Sequence, residues 1–503
     1  LVEAEARDAM AWPRHIIRIG KRSGDHLMDT FKKATPVKVG FLPTRRDCFD
    51  PKPAAVRKGR VEAFLKKAGC DYVGLDWLNG EGLIFSGLDA DKVVERWRGE
   101  GVDAIFAAHC NFGTEDAVAK VANKLGLPLL VWGPRDEAPD ADGYRMGDVQ
   151  CGLFATTKVL SRFGVPFTYI TNSGESDDVF VRGFDNFIRA ATVVKSFRHM
   201  RVGQISTRPQ AFWSVICNEG ELLERFNIEV VPTTLVDISL ATERLVKENG
   251  KELRETADGI KGKVSTVEYG DEYVTKCAAL KLAIKDFALA QGLSAVGIQC
   301  WSALQKSLGI APCFINGELS AEGLPVSCET DIHGAITSVM AQAASLHKNP
   351  TFFADLTVRH PSNDNSELLW HCGNFAHCLH KKGAPNAFNK HYDMFIPAAG
   401  DYELQAGDIT VSRFDGMHGE YKLLFGHGKA VAGPMNKGTF VWFEVGDWPL
   451  WEEKIIYGPY IHHCTGIYGK YAPALLEACR YIPGLEPDPV DPTLEEIRKY
   501  LRG

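Results

Sequence analysis

From Val37 onward the chain alternates short apolar runs with longer stretches in which apolar residues recur every three or four positions. VKVGFLP (37–43), YVGLDW (72–77), VDAIFAAH (102–109) and LPLLVWG (127–133) read as buried strands. KGRVEAFLKKAG (58–69), DKVVERWRGEG (91–101) and TEDAVAKVANKLG (114–126) read as the amphipathic helices between them. Such alternation predicts a parallel sheet with helices on both faces. DVQCGLFATTKVLSRFG (148–164) reads as a linking helix ended by Gly164. The pattern restarts at Val165 with PFTYIT (166–171), a long helical stretch (179–199) and RVGQIS (201–206), and continues through EGELLERFN (219–227), IEVVPTT (228–234) and LSAVGIQ (293–299).

Beyond Pro350 the texture changes: Gly, His, Pro and Asn become dense, and strand-like runs appear in 402–416, 421–431 and 439–448, with helices near 473–481 and 493–501. The expected fold class is therefore α/β: two consecutive Rossmann-like α/β domains (36–164 and 165–349) followed by a β-rich, barrel-like C-terminal domain (350–503). Residues 1–35 mix charged and apolar positions, and are expected to be an N-terminal arm that packs on the body or on another subunit.

Composition narrows the function more than the fold. A chain of 503 residues is too long for one hydrophobic core. A net charge of -7 gives no reason to expect a nucleic-acid or anionic-membrane partner. The 13 cysteines are odd in number, scattered and without a CxxC pair, which points to reduced thiols and a cytoplasmic protein. No run of about 18 apolar residues predicts a membrane span. The first residues carry no apolar signal core, and they begin with Leu1. There is no GxxxxGK[ST] loop, no strand-linked GxGxxG and no GxSxG elbow. An α/β architecture alone does not choose a function.

The segment 323–360 holds the densest candidate chemistry. Glu329 follows LPVSC and precedes a helix-like stretch; Asp355 closes the aromatic run TFFAD, at what reads as a strand end. Carboxylates at strand ends stand on the rim where α/β proteins bind ligands. A helix N-terminus also favours an acid, but Asp331 fits that capping role better and leaves Glu329 free. Tyr460 to Cys464 carries the adjacent His462 and His463, and Trp370 to His380 carries His371, Cys372, His377, Cys378 and His380. The spacings of the latter fit no standard zinc finger. Two carboxylates and one imidazole suit Mn²⁺, Mg²⁺ or Co²⁺.

CETDIHGA around Glu329, FFADL around Asp355 and IHHC around His463 resemble the metal-binding set of the L-fucose/L-arabinose isomerase family. The resemblance implies an aldose–ketose isomerase, with Glu329, Asp355 and His463 holding Mn²⁺ (Co²⁺ or Mg²⁺ as alternatives) and the two carboxylates as the acid/base pair of an enediolate mechanism. The paired His462-His463, and His371 in WHCG, look like site histidines of the L-arabinose branch. GIQCWSALQ (297–305), with Trp301, looks like a family turn lining the substrate cleft. Substrate contacts are further expected from Phe212, Asn111, Arg45 in FLPTRRDCFD and Arg208 in STRPQAFW; Arg46 reads as a solvated loop residue. Arginines at such rims hold sugar hydroxyls or an anionic tail. The substrate classes implied are a deoxy-hexose, a pentose or a sulfonated sugar such as sulfoquinovose. The family resemblance also implies a homo-hexamer in which a neighbouring subunit completes each site, giving Arg45 a part in it. A metal-dependent sugar lyase or epimerase would use the same enediolate logic, whereas a non-catalytic sugar-binding protein would need neither the metal nor Glu329 and Asp355.

Overall fold

The computed structural model describes residues 36–503; the expected arm, residues 1–35, lies outside the described residues. The first sheet contains β1 (Lys38–Thr44), β2 (Asp71–Val73), β3 (Ala104–His109), β4 (Leu129–Trp132) and β5 (Thr168–Tyr169), all parallel, in the order β2-β1-β3-β4-β5. The strands read from 37–43, 102–109 and 127–133 form here because their residues are buried on both faces, as the centre of a parallel sheet requires. The run PFTYIT, expected to open the second domain, instead supplies β5 at the edge of the first sheet. Two residues of pairing beside β4 are too short a signal to separate from a new start.

The second sheet is also parallel, in the order β10-β9-β6-β7, from β6 (Arg201–Ile205), β7 (Glu229–Thr233), β9 (Ala295–Ile298) and β10 (Val326–Ser327). The intervening β8 (Thr266–Val267) leaves it for the third sheet. That sheet adds β11 (Thr351–His360), β12 (Asn363–His371), β13 (Ala387–Lys390), β14 (Pro397–Glu403), β15 (Asp408–Met417), β16 (Glu420–Val431), β17 (Thr439–Glu444), β18 (His463–Tyr468) and β19 (Leu485–Pro489). Because β16 pairs with both β15 and β17, the strands β16-β15-β18-β11-β12-β17 close into an antiparallel ring. Closure gives the expected barrel-like unit, with fewer free edges to protect.

Three helices tie these units together: α1 (Asp178–Phe197), α2 (Ile332–Ala344) and α3 (Ala472–Cys479). Every residue of α2, IHGAITSVMAQAA, is buried. A helix without a polar stripe has no solvent face, and α2 packs on β9, on α1 and on barrel strands β15 and β18. Its few hydroxyls are satisfied across that contact: Ser338 Oγ lies 2.9 Å from Thr465 Oγ1, and the Phe414 amide donates to Thr337 Oγ1 at 2.9 Å. One core cluster accordingly runs from Phe41 and Phe184 through Ile332 and Ile336 to Phe414 and Leu475. This helix locks the C-terminal edge of the second sheet against the barrel. No helix among the described residues is long and apolar enough to cross a membrane.

Candidate active site

The site forms where the second sheet's C-terminal edge meets barrel strands. β10 ends at Ser327, and the chain turns sharply so that Glu329 (φ 56°) and Thr330 (φ 58°) both take left-handed backbone. Such conformations cost roughly 1–3 kcal/mol each for residues with a Cβ and gather at functional sites. The turn buries the Glu329 carboxylate. Cys300 and Trp301 lie just beyond β9, and both donate to Glu329 Oε1, from Sγ at 3.3 Å and from Nε1 at 3.0 Å. Oε2 has no hydrogen-bond partner. One oxygen is therefore anchored and the other presented.

The barrel supplies the rest through strand register. Asp355 on β11 is paired with His463 on β18, and on its other side with Trp370 on β12. Paired residues point their side chains to the same face, so register brings the carboxylate and the imidazole together. It also gives the two adjacent histidines different settings, although a ring nitrogen of each lies within 4.8 Å of an Asp355 carboxylate oxygen. His463 is the partner of Asp355, while His462, one position earlier, is exposed, and its carbonyl accepts the Leu356 amide at 2.9 Å. His371 ends β12.

Four polar atoms converge. His463 Nε2 lies 3.5 Å from Asp355 Oδ1 and 3.9 Å from Glu329 Oε2, and His371 Nε2 lies 3.6 Å from Glu329 Oε2. These separations are too long for hydrogen bonds. Yet Glu329 Oε2 and Asp355 Oδ1 are both buried without partners. Burying unpaired polar atoms is costly unless a further group satisfies them. A divalent cation fits: two carboxylate oxygens and one imidazole are the donor set of Mn²⁺, Co²⁺ or Mg²⁺.

The two histidines present different atoms. His463 Nδ1 lies 2.9 Å from Asp331 Oδ2, leaving Nε2 turned to the acids. The Cys372 amide donates to His371 Nδ1 at 3.0 Å, which places the proton of that ring on Nε2, as a donor. Burial alone would raise the Glu329 pKa, but His371, His463 and the Cys300 hydrogen bond hold it below the usual carboxylate value. Burial would raise that of Asp331 too; Arg413 and His463 outweigh it, and the group stays ionised.

The loop after β6 roofs the cluster. Phe212 stacks on His463 (centroids 5.3 Å apart, planes at 19°) and stands edge-on to Trp301 at 5.4 Å and to His462 at 5.8 Å. Thr330 Oγ1 donates to the Thr207 carbonyl at 3.3 Å and ties the loop to the Glu329 turn. In the same loop, the Arg208 guanidinium donates to the Pro209 and Gln210 carbonyls at 3.1 and 3.0 Å, and among the described residues it faces no carboxylate.

Two expected residues lie elsewhere in the chain. Arg45 follows β1 and is taken up by Glu81 (2.6 Å) and Asp47 (2.7 Å). Asn111 follows β3, where its Oδ1 accepts the Arg46 and Gly113 amides at 2.8 and 3.1 Å. Neither touches the Glu329 cluster within one chain; both stand at the reversal of strand order in the first sheet, a general location for ligands. Arg46 stacks over Phe112 and pairs with Glu115. Cys372 gathers with Cys313 and His391, while His377 and His380 stack on each other.

Sequence reasoning missed the support behind His463. Asp331 caps α2 as expected, accepting the Gly334 amide at 2.9 Å, but it also binds His463 and the buried Arg413. A signal existed: Arg413 interrupts the apolar strand ITVSRF, and a cation inside a strand requires a buried partner.

His462 also lines a cavity of about 270 Å³ with Leu356, Trp448, Ile455 and Glu367. Burial, with a smaller push from Glu452 and against the pull of Arg359, raises the Glu367 pKa to about 7. A carboxyl whose pKa is raised on folding contributes stability that is fully present below its unfolded pKa and lost as pH rises through the folded value. Glu367→Gln is therefore expected to leave the urea-unfolding free energy unchanged at pH 4.5 and to raise it by about 1–2 kcal/mol at pH 8.5. An equal effect at both pH values would show that Glu367 does not titrate between them.

Residues 40–198 match the family described as fucose/sulfoquinovose isomerase, N-terminal domain. Over 449 residues the chain is 25% identical to sulfoquinovose isomerase of Priestia aryabhattai, a match covering 88% of this chain and 97% of that one. It is 26% identical over 346 residues to sulfoquinovose isomerase of Alkalicoccus urumqiensis, covering 68% of this chain and 76% of that one. Among solved structures, a periplasmic solute-binding protein of Actinobacillus succinogenes 130z overlaps 62% of this chain and 92% of its own at 14% identity, with a TM-score of 0.16, too low to bear on the fold. Together with the α/β units and the barrel, these matches define a sugar isomerase of the aldose–ketose class. The chain is thus similar to the fucose/sulfoquinovose isomerase family, over residues 40–198 by the family model and over most of its length by these relatives.

Proposed function

We propose that the protein is a metal-dependent aldose–ketose isomerase acting on sulfoquinovose. The observation that carries the metal reading is the convergence of Glu329 Oε2, Asp355 Oδ1 and His463 Nε2, with the first two buried and unpaired. A divalent cation held there supplies Lewis-acid polarisation of the carbonyl and adjacent hydroxyl of the open-chain sugar. Glu329 and Asp355 are the acid/base pair: one removes the proton from the hydroxyl-bearing carbon and the other returns a proton to its neighbour, while the hydroxyl proton passes to the former carbonyl oxygen, so the carbonyl moves by one position. Both are held rigidly, Glu329 by Cys300 and Trp301 and Asp355 by its strand, which is the positional advantage such proton transfer needs. His371 donates from Nε2 to a substrate oxygen. Phe212 and Trp301 exclude water and give the sugar an apolar wall.

The relatives' substrate supports sulfoquinovose, and Arg208 supports its anionic end: a guanidinium in the roof loop, beside Phe212, whose partners among the described residues are carbonyls. In this reading the enzyme assembles as a homo-oligomer, a hexamer by family resemblance, in which Arg45 and Asn111 of a neighbouring subunit approach the site.

The test is ketose formation followed by NMR with sulfoquinovose and L-fucose as parallel substrates. Sulfoquinovose is expected to be converted. Arg208→Ala is expected to raise KM for it by about 10–100-fold, the value of a lost charge-assisted hydrogen bond, and to leave any turnover of L-fucose unchanged. Equal losses on both sugars would remove Arg208 from sulfonate recognition; no ketose from sulfoquinovose would remove the substrate.

A further inference from the structure

Behind the converging atoms lies a second layer of buried charge. We propose that Asp331 is a positioning residue: clamped between Arg413 and the first turn of α2, its carboxylate holds His463 with the proton on Nδ1 and the Nε2 lone pair turned to Glu329 and Asp355. The inference rests on the metal-dependent reading above and deepens it.

A neutral imidazole carries its proton on one nitrogen, and the partner of the other nitrogen decides which. An ionised carboxylate only accepts hydrogen bonds. With Asp331 Oδ2 at 2.9 Å, His463 Nδ1 must donate, and Nε2 is left as the ligand atom. The carboxylate is itself immobile. Oδ1 accepts the Gly334 amide at 2.9 Å, and Oδ2 also receives Arg413 Nη1. Arg413 is fixed in turn: its Nε donates to Asp415 Oδ2 at 2.9 Å, and Asp415 Oδ1 lies 3.1 Å from His333 Nδ1. Asp331, Arg413, His333 and His463 are all buried.

Shape agrees with this arrangement. Phe212 lies over one side of the His463 ring, and Phe353 stands edge-on to it at 4.9 Å, so the imidazole has little freedom to turn. Gly334 leaves room for the carboxylate, since a Cβ there would stand 2.8 Å from Asp331 Oδ2 and 2.5 Å from the Phe353 ring. Helix capping by itself needs only Oδ1, and any Asn would serve it. The second oxygen and its guanidinium have no part in the cap.

Asp331→Asn separates the two roles, because Asn keeps the cap and the volume but removes the charge and can donate to Nδ1. Manganese binding to the metal-stripped full-length chain is read by electron paramagnetic resonance, beside a urea-unfolding midpoint. The substitution is expected to weaken Mn²⁺ binding 10–100-fold, the usual cost of losing such a partner, and to lose that effect in a His463→Ala background. A general structural defect would persist in that background. Wild-type affinity in Asp331→Asn, or an undiminished effect without His463, overturns the inference. Should Asp331→Asn fail to fold, Gly334→Ala carries the same test, since its methyl group presses on Oδ2 and on the Phe353 ring and changes no charge: weakened binding that persists when Phe353→Leu relieves the ring contact supports the inference, and unchanged binding, or binding restored by Phe353→Leu, overturns it. A wild-type protein that binds no Mn²⁺ would instead overturn the metal reading itself, a result distinct from either outcome in the variants.

Discussion

Glu329→Gln is expected to lower kcat on the order of 10⁴-fold while the protein stays folded, because in the proposed mechanism it removes a ligand and an acid/base group together. The fold is spared because Gln has the same shape and its carbonyl still accepts from Cys300 and Trp301. The left-handed backbone at 329 is no harder for Gln than for Glu. What changes is the presented atom: an amide in place of Oε2 is a poor ligand and no base. The measurement is initial-rate kinetics beside a thermal-unfolding midpoint. Activity within tenfold of wild type would remove Glu329 from the reaction. Full loss with a collapsed midpoint would assign it a structural part instead.

On the same proposal, removing the divalent cation should have the next largest effect. Chelation followed by dialysis is expected to reduce turnover at least about 10³-fold, since the carbonyl then loses its Lewis acid. Adding Mn²⁺ or Co²⁺ should restore it. Binding to the native state alone also stabilises that state, by about 2.7 kcal/mol at a free ion concentration one hundred times Kd. Reloading should therefore raise the unfolding midpoint by a few degrees in the wild type and much less in Glu329→Gln. Undiminished activity in rigorously stripped protein would sink the metal-dependent mechanism and leave proton transfer between Glu329 and Asp355 to stand unaided.

The two predictions draw on different layers of information. Glu329 and Asp355 were legible because each follows an apolar strand-like run, and Asp331 was legible as the better helix cap. His463 was legible only as one of two neighbours, since a strand's period of two makes either acceptable until its pairing is known. Pairing β18 with β11 sets His463 directly opposite Asp355, through hydrogen bonds between segments more than a hundred residues apart, and this register favours His463 in the proposed ligand set. The second role of Asp331 depends on Arg413 arriving from β15, which no local pattern announces.

The sequence by itself determined the alternation of strands and helices, the parallel character of the first two sheets, the strand-rich final third and the chemical types available to the site. These follow from local periodicity and burial, which are properties of consecutive residues. Only the tertiary structure decided that PFTYIT joins the first sheet and that β16 closes the barrel against β17. It alone turned Glu329 inward and gave His463 and His371 opposite proton positions. Each of these depends on which distant backbone or side chain lies opposite a given residue, and that is settled by the buried packing of α2 between sheet and barrel.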